Sequence, residues 1–200
     1  MGSHPSNIKG FTEIVKDWEQ ERRDLLNKLS SAIEAPIHLK HKAGSKAGQV
    51  ERMKCDKEQL GSKHTLSATY RMSESKQSLR IVADLKSKIV QVELDFSTPK
   101  SKKARASVAW LADTLQDLKD CDYFLKINWR NVRNEEPREL LDFLEYPEGA
   151  AEGHSDTPIK AHLYAIQNNP KKFSSRKAFI QLVEDTTFKL LDDAKRVGII

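Results

Sequence analysis

The sequence predicts a mixed α+β fold: a long amphipathic, coiled-coil-like N-terminal helix, a two-layer β-β-β-α-β sheet domain, and a C-terminal helical subdomain. Three patterns carry that expectation. Phe11, Val15, Trp18, Arg22, Leu25, Leu29 and Ala32 are spaced 4, 3, 4, 3, 4, 3, which is the heptad seam of an amphipathic helix. Four later segments alternate apolar and polar residues with period two, as strands do when one face is covered. Thr98-Pro99 and Thr157-Pro158 each place a capping side chain before a proline, which suits the first turn of a helix.

The first helix is expected within 1–35. Ser6 or Asn7 caps it and Pro36 stops it. Ile14, Leu26 and Ile33 widen the apolar stripe, and Lys16, Asp17, Glu19, Glu21, Arg23, Asp24 and Lys28 cover the opposite face. Arg22 puts one charge into the seam. The spacing serves equally for packing on the chain's own domain and for joining another protein or a second copy of this chain. In the second case the partner-helix interface is Phe11, Val15, Trp18, Arg22, Leu25 and Leu29.

Residues 36–62 read as a basic flexible linker. His38, Lys40, His41, Lys42 and Lys46 occur with no acidic residue between Ile37 and Val50, and Gly44 and Gly48 loosen the backbone.

The sheet domain is expected over 63–133. Its apolar faces are Leu66, Ala68, Tyr70 and Met72; Leu79, Ile81, Ala83 and Leu85; Val90, Val92, Leu94 and Phe96; and Tyr123, Leu125, Ile127 and Trp129. A tight hairpin at Ser87-Lys88 pairs Leu79 with Phe96 and places Arg80 opposite Asp95. A helix over 99–119, with Ala104, Val108, Leu111, Leu115 and Leu118 as its stripe, then forms a right-handed crossover to a parallel fourth strand. Residues 134–200 read as a helical extension packed on that domain. It holds a short helix from Pro137 to Tyr146, a second from Pro158 to about Asn168, and a last one capped by Ser174 or Ser175 and ended by Gly198.

Composition narrows the function classes. Of 200 residues, 38% are hydrophobic and 32% charged, so part of the chain should be polar surface or linker beside a modest core. The net charge of +5 is mild, and its distribution says more than its sum. No apolar run approaches the ~18 residues of a membrane span, so no membrane partner is expected. Met1-Gly2-Ser3-His4 reads as a vector remnant with no apolar signal region behind it, and a cytoplasmic protein is expected. Cys55 and Cys121 lack partners at metal-ligand spacing, and His38, His41, His64, His154 and His162 are scattered. No Gly-rich phosphate loop, nucleophile elbow or dinucleotide fingerprint occurs, and no cofactor is expected.

Two clusters stand out. Lys100, Lys102, Lys103 and Arg105 crowd the start of helix 99–119, where the helix dipole favours acids. This arrangement fits an anionic ligand such as nucleic-acid backbone, with Lys40, Lys42 and Lys46 as further cations. Asp84, Glu93 and Asp95, with Lys86 and Lys126, share the polar sheet face. They can be read as cross-strand ion pairs or as the carboxylates of a metal-dependent nuclease. The leading expectation is a non-enzymatic interaction or adaptor protein, an accessory subunit with a partner-binding helix and a basic edge. A purely structural coiled-coil module and the nuclease are the alternatives.

Overall fold

The computed structural model describes residues 18–33, 37–39, 65–72, 77–98, 104–129, 136–154 and 158–200. The described residues form four α-helices and seven strands. In chain order these are α1 (Trp18–Ile33), β1 (Ile37–Leu39), β2 (Thr65–Met72), β3 (Ser78–Asp84), β4 (Ile89–Ser97), α2 (Ala104–Leu115), β5 (Tyr123–Trp129), β6 (Arg138–Glu139), α3 (Leu140–Glu145), β7 (Pro158–Asn168) and α4 (Arg176–Arg196). The fold is therefore mixed α+β. It divides into two compact units, Met1–Val92 with Gln167–Phe188, and Glu93–Ile166 with Lys189–Ile200.

In the first unit the strands follow the order β1-β2-β3-β4. β1 and β3 flank β2 in antiparallel register, with Leu39 opposite Tyr70 and Ile81 opposite Ala68. The period-two pattern works as expected. Leu66, Ala68, Tyr70 and Met72 of β2 and Leu79, Ile81 and Ala83 of β3 are buried, while their polar neighbours are not. Helix α1 lays Trp18, Arg22, Leu25 and Leu29 into this core. It is fastened along its flank to the first half of α4, by Arg176 to Glu21 and by Lys28 Nζ to Glu184 Oε1 at 2.5 Å.

The β3–β4 connection differs from the two-residue turn expected. Residues 85–88 form the turn, with Lys88 in the left-handed region at φ 58°. Asp84 shapes it: Oδ1 accepts the backbone N–H groups of Lys86 and Ser87, and Oδ2 accepts the Ser87 hydroxyl. The aspartate thus does the work usually signalled by a turn glycine.

In the second unit β4, β7, β5 and β6 follow one another. The expected parallel crossover is corrected here, because β7 lies between β4 and β5 and pairs antiparallel with β5. The helix expected from Pro158 to Asn168 is this strand. The sequence stretch Lys160-Ala161-His162-Leu163 alternates with period two, and a proline is tolerated as the first residue of a strand, where its missing N–H costs least. Pro158 opposes Trp129 at a register irregularity between Asn128 and Trp129. The reading of 134–200 as wholly helical is corrected with it, and so is the start of the 36–62 linker, since Ile37–Leu39 is strand β1.

Helix α2 buries Ala104, Ser107, Val108, Leu111 and Leu115, and Leu118 follows on a short 3-10 turn. The predicted N-terminal extension, residues 99–103, lies outside the described residues. Helix α4 starts and ends as expected. The Ser175 hydroxyl accepts the Ala178 N–H at 3.2 Å, the geometry of an N-cap. At the other end Gly198, at φ 70°, donates to Lys195 O, and Ile199 donates to Ala194 O. That paired pattern satisfies the last carbonyls and tucks Ile199 into the core.

Candidate functional site

The seam assigned to a partner helix is the first test of function. Phe11 and Val15 lie outside the described residues. Trp18, Arg22, Leu25 and Leu29 are 2%, 1%, 4% and 0% exposed. The Trp18 indole N–H donates to Ser67 O at 3.2 Å, and its ring meets Phe179 at 6.0 Å between centroids. The Tyr70 hydroxyl donates to the backbone carbonyl of Arg22 at 2.9 Å. In this chain these four side chains are buried in its own core, and the structure gives the coiled-coil reading no support.

Most of the basic edge lies where the structure is not described. Lys100, Lys102, Lys103, Lys40, Lys42 and Lys46 are all outside the described residues. Arg105 is described: it is exposed in the first turn of α2, and that turn has no acidic residue.

The carboxylates of the polar sheet face do not converge. Asp84 is engaged in its turn, as above. Glu93 and Asp95 belong to a network in the second unit. Glu93 Oε1 lies 2.7 Å from His162 Nδ1, His162 Nε2 lies 2.7 Å from Asn128 Nδ2, and Lys160 Nζ donates to Asp95 Oδ2 at 2.8 Å. The simplest proton assignment puts the imidazole N–H on Nδ1, donating to the carboxylate, with Nε2 accepting from the asparagine amide. A histidine oriented by a carboxylate supplies two of the three members of a catalytic triad. Here its second nitrogen faces Asn128, so both ring nitrogens have protein partners and neither is free to take a substrate proton. Tyr164 stacks beside the imidazole at 6.3 Å. Among the described residues no group of three His, Cys, Asp or Glu side chains is placed to hold a metal ion.

A groove opens at the start of β5. It encloses about 400 Å³ and is lined by Lys119, Asp120, Cys121, Asp122, Tyr123, Phe124, Glu139 and Leu141. Of these lining residues, Tyr123 donates its hydroxyl to Asp193 Oδ2 at 2.6 Å; Arg196 pairs with Asp193 Oδ1 at 2.8 Å, and Lys189 Nζ stands 5.9 Å from the Tyr123 ring centroid. Burial, then the hydrogen bond to Asp193, pushes the Tyr123 phenol far above its ordinary pKa. Burial and the Asp193 carboxylate also push the Cys121 thiol up. A protonated thiol is a poor nucleophile, so Cys121 has the wrong electrostatics for covalent catalysis.

Comparison with known proteins adds no assignment: no family model, curated protein or solved structure matches this chain. His162, Lys160 and Asn128 are the site residues that sequence reasoning missed. The alternation of β7 carries the signal for the first two, masked by the helix-start signal of Thr157-Pro158.

Proposed function

We propose that this chain is a non-enzymatic interaction protein, an accessory subunit that holds an anionic ligand at the start of α2. Nucleic-acid backbone is the ligand of choice. The observation that supports this most is the first turn of α2, in which Arg105 is exposed and no acidic residue occurs. Lys100, Lys102 and Lys103 precede it directly in the sequence. A helix N-terminus already carries partial positive charge, so Arg105 in its first turn, and cations close before it in sequence, add to that charge instead of cancelling it. Glu93 and Asp95, the preceding acids in the sequence, carry His162 and Lys160 as partners.

The test is binding of a labelled generic duplex followed by fluorescence anisotropy across a salt series. Affinity should fall with salt, with a logarithmic slope of about −0.9 for each phosphate neutralised. Replacing Lys100, Lys102, Lys103 and Arg105 together by glutamine should flatten that slope. Absence of binding at low salt, or binding without a salt slope, overturns the reading.

A further inference from the structure

We infer that the groove at the start of β5 docks an extended peptide of a partner protein, one that carries lysine or arginine beside a large apolar side chain. Two features on the same rim point to this partner. The first is charge. Asp120, Asp122 and Glu139 line the groove with one lining cation, Lys119, in a chain whose net charge is +5. A locally acidic rim on a basic protein attracts cationic segments and repels nucleic acid, so this surface is distinct from the basic edge of α2.

The second is an exposed apolar residue at a sheet edge. Leu140 and Phe143 of α3 are buried, whereas Leu141 is 46% exposed and stands with half-buried Phe124 on the groove wall. Among the described residues β6 ends the strand order, and its Glu139 opposes Phe124 on β5. A peptide laid along such an edge gains main-chain hydrogen bonds from the strand and specificity from alternate side chains. A volume of about 400 Å³ admits a few side chains and not a globular face. An apolar side chain would cover Leu141 and Phe124, and flanking cations would meet the three carboxylates.

The probes are three labelled pentapeptides, Lys-Leu-Lys-Leu-Lys, Lys-Ser-Lys-Ser-Lys and Glu-Leu-Glu-Leu-Glu, titrated against the full chain. The first should bind, the second about tenfold more weakly, and the third not at all. Leu141→Ser and Glu139→Lys should each weaken the first peptide by about tenfold, with unchanged far-ultraviolet circular dichroism and melting temperature, since both side chains are exposed. Equal binding of all three peptides, equal binding of the first peptide by wild type and both variants, or no binding of the first peptide overturns the inference. Duplex binding at the α2 edge is a separate readout: Arg105→Gln should leave peptide affinity unchanged, so either proposal can fail without the other.

Discussion

The indole nitrogen of Trp18 donates to the carbonyl oxygen of Ser67 over 3.2 Å, which ties the first turn of α1 to the neighbouring strand. The same ring is 2% exposed and packs on Phe179. Trp18→Ala therefore removes a buried aromatic and should cost about 3–5 kcal/mol in urea unfolding. Trp18→Phe keeps most of the packing and drops the donor, for a smaller loss near 1 kcal/mol. Neither loss should depend on protein concentration, because the stripe is buried within one chain. A melting midpoint that rises with concentration would show that α1 is instead stabilised by a second copy.

The residues of α1 also show how far sequence reading reached. Spacing identified Trp18, Arg22, Leu25 and Leu29 as one face, and that face is buried. Periodicity specifies which side of a helix is covered, but not by what, because a domain core and a partner helix ask for the same side chains. The strands β2 to β5 were legible for the same reason. β7 was not, because Thr157-Pro158 carries a strong local signal for a helix start, and a proline at N1 of a helix looks identical in sequence to a proline opening a strand. That one reversal hid the site network, since Lys160 and His162 reach Asp95 and Glu93 only from a strand beside β4.

That network makes its own prediction. Glu93 and His162 are half-buried and bonded at 2.7 Å, so their contributions to stability should be coupled. A double-mutant cycle with Glu93→Gln and His162→Gln should give a coupling energy of about 0.5–3 kcal/mol. No magnesium- or manganese-dependent cleavage of nucleic acid should accompany the wild-type chain, and additivity within about 0.3 kcal/mol would deny the pair any structural role.

The β3–β4 turn separates a structural from a catalytic role for Asp84. Its carboxylate accepts two backbone N–H groups and one hydroxyl within its own turn. Asp84→Ala should therefore cost about 1–2 kcal/mol of stability. Lys88→Gly should act in the opposite direction by about 1 kcal/mol, because φ 58° is strained for any residue with a Cβ. Thermal denaturation of the two variants checks both signs. A destabilised Lys88→Gly would mean that the lysine side chain outweighs its backbone strain.

Alkaline pH should expose the buried phenols. Burial holds Tyr70 protonated well beyond the usual range, and burial together with Asp193 does the same for Tyr123. Unfolded tyrosine loses its proton near pH ~10. Between that value and the folded pKa the unfolded chain has released protons that the folded chain keeps, so the unfolded state gains as pH rises. The stabilisation is complete below pH ~10 and declines above it, by about 1.4 kcal/mol per pH unit for each such tyrosine. Lys28, whose pKa is raised by its hydrogen bond to Glu184, acts with the same sign. Urea unfolding at stepped pH should show this downward slope, and tyrosinate absorbance should show two phenols that ionise only as the chain unfolds. Tyr123→Phe should remove one tyrosine's share of the slope and leave the Tyr70 share intact. If the slope is the same in that variant, burial and the bond from Tyr123 to Asp193 do not hold the phenol protonated.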